Sequence, residues 1–158
     1  MNANAERTIV RVDDLETHFR TLDGVIRAVS GVSLHVAAGE TLGIVGESGS
    51  GKSVTAYSIL RLLPRKTSRI VGGRILFDRG DGSEAIDMTQ LDPNGALIRE
   101  IRGNEIAMIF QEPLTSLSPV HTVGNQISEA VMLHQNVDRK EADERGIHML
   151  RQVGIAEP

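Results

Sequence analysis

Cysteine is absent from this 158-residue chain, which excludes disulfides and thiolate metal sites and fits a reducing compartment. Closely spaced histidines are missing too. His18, His35, His121, His134 and His148 never stand three to five residues apart, so no local zinc motif is encoded. Long apolar runs are lacking: "IAMIF" falls far short of the roughly 20 residues that cross a bilayer. "MNANAERTIV" has no apolar stretch of the signal-peptide kind, so work at a membrane is expected to be done by docking there. Nor is there a cationic excess. Lys and Arg number 17 against 21 Asp and Glu, a net charge of −4, which speaks against nucleic acid as a partner. What remains, 40% hydrophobic and 24% charged residues, describes a globular chain with material for one core, the size of one domain or of a piece of a larger one.

The first segments, "TIVRV" (8–12), "VIRAV" (25–29) and "VSLHV" (32–36), are β-branched and predict short strands. Val32, Leu34 and Val36 share one face, with Ser33 and His35 on the other. "LDGV" at 22–25 places an Asp-Gly turn between extended segments, so an antiparallel hairpin layer is expected. "TLGIV" is apolar on both faces, as a strand buried in a parallel sheet is. After the glycine-rich stretch "GESGSGKS" (46–53), "KSVTAYSILRLL" predicts a helix that Pro64 stops. Gly72 and Gly73 precede "RILFD", and "RGDG" (79–82) predicts a turn. In "LDPNGALIREIRG", Asp92 is expected to cap a helix, with Pro93 at its first position and Gly103 as its stop. "EIAMIF" reads as a second buried strand, ending on "QEP". After Thr122 a helix is expected with Val123, Ile127, Ala130 and Val131 on one face. A last helix starts at Asp138, with Glu141 placed to complete the cap, and runs through Ala142, Met149, Leu150 and Val153 to Gly154.

The stretch 46–53 has the spacing G-x-x-x-x-G-K-[ST] of a phosphate-cradling loop, a match expected by chance in roughly one chain in a few hundred of this length. Backbone N–H groups converge on a polyphosphate only where side chains are small, and a helix N-terminus adds about half a positive charge there. Gly46, Gly49 and Gly51 permit that approach, with Glu47, Ser48, Ser50 and Val54 completing the nucleotide-binding segment. Lys52 is placed to reach the β and γ phosphates, and the Ser53 hydroxyl to ligate Mg²⁺. The bland alternative is a flexible glycine loop with a solvated lysine, and the strand-loop-helix context argues against it. The guanine-reading Asn-Lys-x-Asp of a small GTPase is missing, since the only lysines after the loop are Lys66 and Lys140. A phosphate-loop kinase stays open on the loop alone.

Taken together, "GETLGIVGESGSGKS" and "IAMIFQEPLTSLSPVHTVGNQI" resemble the ATP-binding subunits of ABC transporters, of the oligopeptide and dipeptide importer group. The resemblance runs from "RTIVRVDDLETHF" to "RQVGI", and "RAVSGVSLHVAAGE" and "GGRILFDRGDG" are similar to that family's antiparallel subdomain. Ser118 stands where the family has asparagine. The resemblance implies an α/β P-loop NTPase of ABC type, with an antiparallel β subdomain, a partial parallel core sheet and the start of a helical subdomain. On that reading, residues 1–158 are the N-terminal portion of one ATP-binding domain: 1–40 mostly antiparallel β; 41–64 strand, loop and helix; 70–111 β hairpin, short helix and Q-loop strand; 112–158 the start of the helical subdomain.

By the same resemblance Phe19 stacks on adenine, Gln111 touches Mg²⁺ and the attacking water, and 113–126 receives a coupling helix from a membrane subunit. The bland readings are a core phenylalanine, a polar strand cap and an ordinary loop. Implied partners are membrane-spanning permease subunits, a second ATP-binding subunit, identical or related, and indirectly an extracytoplasmic solute-binding protein. The implied location is peripheral, on the cytoplasmic side of the inner membrane, and the implied activity is ATP hydrolysis coupled to uptake of peptides or similar solutes. Walker B is imitated by "RILFD", but Arg79 follows where glutamate belongs. The signature is imitated by "VSGV" (29–32), which lacks the second glycine. With both elements and the general base missing, the chain reads as part of a larger subunit, and a nucleotide-binding fragment without turnover is the competing expectation.

Overall fold

The computed structural model describes residues 7–111 and 117–157, which fall into two compact units, one within Met1–Arg102 and one within Gly103–Pro158. In the first, the expected short strands merge into two long ones, β1 (Thr8–Thr21) and β2 (Gly24–Ala37). Leu22 and Asp23 form the turn between them, with Gly24 at φ 133, so the Asp-Gly hairpin holds. β3 (Ser68–Phe77) and the short β4 (Ile86–Asp87) complete an antiparallel sheet of order β2-β1-β3-β4. β1 bulges at 13–15 in both pairings. The Asp14 N–H donates to Ser33 Oγ at 2.9 Å, and the Ser33 hydroxyl donates back to Asp14 Oδ1 at 3.1 Å. Cross-strand neighbours Val12 and Ile75 are fully buried with Leu15, Met88, Ile98 and Ile101. Ile98 and Ile101, three apart, are the inner stripe of α2 (Ala96–Asn104).

Helix α1 (Lys52–Ile59) ends well before Pro64. Leu60 caps it, and Arg61 follows in the left-handed region at φ 54. The stop is tertiary: Arg102 donates from Nε to the Leu60 carbonyl (2.7 Å), from Nη2 to that of Arg61 (2.6 Å) and from Nη1 to that of Pro93 (3.0 Å). A cation on the last carbonyls of a helix satisfies them and offsets its dipole. Asp92 does not cap α2. Its carboxylate accepts from the Asn94 N–H (3.1 Å) and its carbonyl from Gly95 (2.8 Å), closing a turn that delays the helix to Ala96. Gly103, expected as the stop, turns left-handed at φ 83, and the helix closes one residue beyond it, at Asn104.

The two expected buried strands differ from the sequence reading. Residues 41–45 form no strand, and 105–110 none beyond a single bridge at Ile106. Leu42, Ile44 and Val45 are 40%, 51% and 97% exposed, and Ile109 is 97% exposed. A strand apolar on both faces needs a neighbour on each edge, and beyond that one bridge the described residues supply none; the sheet they form is antiparallel throughout. The "RILF" of "RILFD" closes β3 of that sheet, with Asp78 just past its end, in keeping with its rejection as a Walker B strand.

The second unit holds a helical hairpin, α3 (Val123–His134) and α4 (Arg139–Gln152). Both begin where the sequence places them: Thr122 Oγ1 accepts from Asn125 N–H (3.2 Å) and Asp138 Oδ1 from Glu141 N–H (2.9 Å). Glu141 does not close the reciprocal half of the cap, since its carboxylate accepts from Arg145 one turn on. The buried face of α3 is also rotated from the expected one. Ser128 is buried, whereas Val123 and Ala130 are exposed and Ile127 and Val131 half-buried. Small residues set this contact: Ala142 and Gly146 are buried on α4, and a Cβ on Gly146 would stand 3.0 Å from Ile127 Cγ2. Ser128 donates to Asp143 Oδ1, which also accepts from Arg139 Nε at 2.9 Å. No helix among the described residues is long and apolar enough to cross a membrane.

Candidate nucleotide-binding site

The chain enters the glycine-rich segment through a closed turn. Glu40 N–H donates to the Ala37 carbonyl (3.1 Å), and Ala37 N–H to Glu40 Oε2 (2.7 Å). Leaving it, α1 sits on the sheet through two small hydroxyl residues, Thr55 and Ser58, its only buried positions. Ser58 Oγ donates to the Val54 carbonyl (2.7 Å), so across the 3.1 Å contact with Thr17 Oγ the threonine is the donor. Thr55 Oγ1 and N–H both donate to the Gly51 carbonyl, at 3.0 and 2.8 Å. Hydroxyls bonded within their own helix let α1 lie closer to β1 than leucines would allow.

Gly51 is where loop and sheet meet. It is left-handed, φ 93, and a Cβ there would stand 2.5 Å from the Ala28 carbonyl oxygen of β2. At Gly46 a Cβ would stand 2.7 Å from Ser50 Oγ and 3.9 Å from Lys52 Nζ. Between these points the Lys52 ammonium closes a ring, donating to the carbonyls of Gly46 (2.6 Å) and Glu47 (2.7 Å) and to Ser50 Oγ (3.2 Å). The Ser50 N–H folds back to the Glu47 carbonyl at 3.2 Å. The first helical bond is that of Thr55, so the N–H groups of Lys52, Ser53 and Val54 have no acceptor within the helix. No acidic residue lies in that first turn, which leaves its field to an anion. A cation with three donors, free amides at a helix start and no room for a Cβ fit a phosphate group.

Glu47, Ser48, Gly49, Ser50 and Ser53 are exposed, and Gly51, Lys52 and Val54 half-exposed. No cluster of three His, Asp or Glu that could hold a metal exists among the described residues. A Mg²⁺ ion carried by a ligand's phosphates needs none, because it keeps most of its oxygen ligands from phosphate and water. Phe19 is half-buried in β1, opposite Ile26 and Ser68. It stands two residues from Thr17, hence on the sheet face that carries α1. Gln111 is exposed in the second unit. Of the expected coupling surface, 113–116 lies outside the described residues. In the rest, Gln126 clasps the turn before α3, accepting from Ser118 N–H (2.8 Å) and donating to the carbonyls of Ser118 (3.1 Å) and His121 (3.0 Å). Sequence reasoning missed Thr17, Ser58, Glu40 and Arg102. Only Thr55 and Ser58, three apart in "VTAYS", left a signal.

The ABC transporter family matches over residues 29–157. The "Probable peptide ABC transporter ATP-binding protein y4tR" of Sinorhizobium fredii is 55% identical over 150 residues, covering 95% of this chain and 42% of that protein. The "Oligopeptide transport ATP-binding protein AppD" of Bacillus subtilis is 43% identical, covering 94% and 43%. The chain thus spans about two fifths of the length of these curated relatives. Among solved structures, the dimeric ATP-binding cassette MJ0796 in a post-hydrolysis state with ADP and Pi superposes with a TM-score of 0.77 at 22% identity, covering 94% of this chain and 59% of that one. That likeness shows the fold, and the family match and the relatives show the lineage: this chain belongs to the ABC transporter family.

Proposed function

We propose that this chain binds ATP with Mg²⁺ through residues 46–54 and forms the nucleotide-gripping part of the ATP-binding subunit of a peptide importer. The observation that carries the reading is the Lys52 ammonium, held by the loop's own carbonyls at 2.6 and 2.7 Å at the start of a helix with free N–H groups. Lys52 would neutralise the β and γ phosphates, the amides of 51–54 would hold the phosphate oxygens, and Ser53 would bind Mg²⁺. Phe19 would stack on adenine by its ring face. Gln111 would position Mg²⁺ and the attacking water, and positioning with charge stabilisation supplies the rate in phosphoryl transfer. In the whole protein the domain would pair with a second ATP-binding subunit and dock on membrane-spanning permease subunits at the cytoplasmic face, served indirectly by a solute-binding protein.

Calorimetry with MgATP tests the reading. Lys52→Ala removes charge-assisted bonds of about 1.5–3 kcal/mol each, so affinity should fall by at least tenfold. Unchanged heat in the variant, or none in the parent chain, would refute it.

A further inference from the structure

The first unit contains a polar cavity of about 340 Å³ that shares no residue with the glycine loop. Its lining includes three arginines, Arg61, Arg65 and Arg69, with Thr89 and Gln90. Guanidinium groups converging on one cavity repel one another unless an anion stands among them. The carboxylates nearby are largely engaged. Asp87 Oδ1 accepts from both the N–H and the hydroxyl of Thr89 (2.9 and 2.7 Å). Asp92 Oδ1 accepts from Asn94 and lies 3.7 Å from Arg65. Among the described residues neither Arg61 nor Arg69 has a carboxylate partner; Arg69 Nη1 donates to the Arg65 carbonyl at 2.9 Å.

Arg61 carries the argument furthest. Its backbone is left-handed, a region a long side chain rarely adopts, and Arg102 grips its carbonyl. Its Nε is buried with no hydrogen-bond partner, and Nη2 reaches the Leu91 carbonyl only at 3.4 Å. Buried donors are nearly always satisfied. Burial first, and then the charge of Arg65, hold the Arg61 guanidinium below its ordinary pKa, with Asp87 and Asp92 partly opposing.

We propose that this cavity is a second anion site that takes a phosphate-bearing ligand, its oxygens bonded by Arg61, Arg65 and Arg69. The planar guanidinium fork matches phosphate oxygens two at a time, and the Gln90 amide, which spends one N–H on Thr89 Oγ1, has a second neutral N–H to add. The volume lies at the small end of ligand sites, which suits one phosphate group with a short substituent. A soluble phosphate ester and a phospholipid headgroup both present that chemistry. The inference stands apart from the nucleotide reading, because it uses none of the loop's residues.

The test follows the arginine Nε–H and backbone amide NMR signals of the labelled chain during titration with inorganic phosphate at ionic strength held by chloride. Arg61 Nε–H should shift and saturate. Arg61→Asn, which suits a left-handed backbone, and Arg69→Gln, at an exposed position, should each weaken phosphate affinity about tenfold, read from the backbone amides of the cavity residues Thr89 and Gln90, which both variants retain. The Lys52 amide, reporting the loop separately, should respond alike in all three. A shift that chloride reproduces, or affinity unchanged in both variants, overturns the proposal. Sedimentation with phosphatidylglycerol and phosphatidylcholine vesicles then separates the sources. Retention on the anionic vesicles that Arg61→Asn abolishes assigns a headgroup; saturation by phosphate without retention assigns a soluble ester; no response to either rejects the site.

Discussion

Alanine at Gly51 and alanine at Gly49 ask whether the loop's position over the sheet is set by contact or by backbone torsion alone. Both glycines are left-handed, at φ 93 and φ 80, so either substitution carries about 1–2 kcal/mol of strain from the Cβ against its own backbone. At Gly49 the new methyl meets nothing within 4 Å. At Gly51 it would stand 2.5 Å from the Ala28 carbonyl oxygen and 3.6 Å from Val29 Cγ2. An overlap of backbone with backbone cannot be relieved by a rotamer change. α1 would have to lift from β2 and stretch the buried Thr17–Ser58 bond. Overpacking of this kind adds typically about 1–3 kcal/mol, giving roughly 2–5 kcal/mol for Gly51→Ala against about 1–2 for Gly49→Ala. The chain's single tyrosine, Tyr57, lies in α1, and tryptophan is absent, so tyrosine fluorescence during urea unfolding reports this helix. MgATP affinity measured on the folded variants should fall in the same order. Equal losses at the two positions would refute the claim that β2 sets the loop's position.

The remaining expectations concern bonds distant from the loop. Ser58→Ala leaves the fully buried Thr17 hydroxyl without its acceptor and should lose about 1–3 kcal/mol in a urea titration, with Thr17→Val added to it costing little more. Arg102→Met keeps the aliphatic stem but strips the carbonyls of Leu60, Arg61 and Pro93 of their donor; a loss of about 2–3 kcal/mol is expected, and an unchanged midpoint would mean water replaces the guanidinium. Asp143 is held below the usual carboxylate range, chiefly by the Ser128 hydroxyl and then by Arg139. A depressed folded value contributes stability that is complete above the ordinary value of about 3.9 and lost as pH falls through the folded one. Circular dichroism should therefore hold steady from neutrality to about pH 5 and decline below about 4, with the acid limb flattened in Asp143→Asn.

What the sequence made legible is chemistry closed within a few residues. The loop spacing, the turn at Leu22 and Asp23, and the caps at Thr122 and Asp138 each depend on neighbours two to six positions away. What it hid depends on partners far along the chain. The sequence predicts a helix that runs to Pro64, yet α1 stops earlier because Arg102, 42 positions after Leu60, takes its last carbonyls. Likewise, Ser58 meets Thr17 across 41 positions, and the arginine cavity gathers residues from 61 to 93. The expected strands at 41–45 and 105–110 show a second limit. An apolar run states that a segment is to be covered, but not by what, and among the described residues nothing pairs with 41–45 and only the single bridge at Ile106 ties down 105–110.

The site itself joins the two kinds of information. The spacing of Gly46 and Lys52 lets the side chain fold back on its own loop, but where the ring lies depends on Gly51 against β2 and on hydroxyls that let α1 settle on β1. Lys52 Nζ has three donors, each engaged: two short bonds to carbonyls at 2.6 and 2.7 Å and a longer one to Ser50 Oγ at 3.2 Å. On the proposed reading, a phosphate oxygen arriving at the loop would meet an ammonium already aimed and already desolvated in part by its own backbone, and would need to displace only the weakest of the three. Little side-chain order is then left to create on binding, which is the saving preorganisation brings. The same arrangement explains why the segment tolerates exposure. With its lysine bonded to loop carbonyls, the loop has an internal partner for its one cation before any ligand arrives.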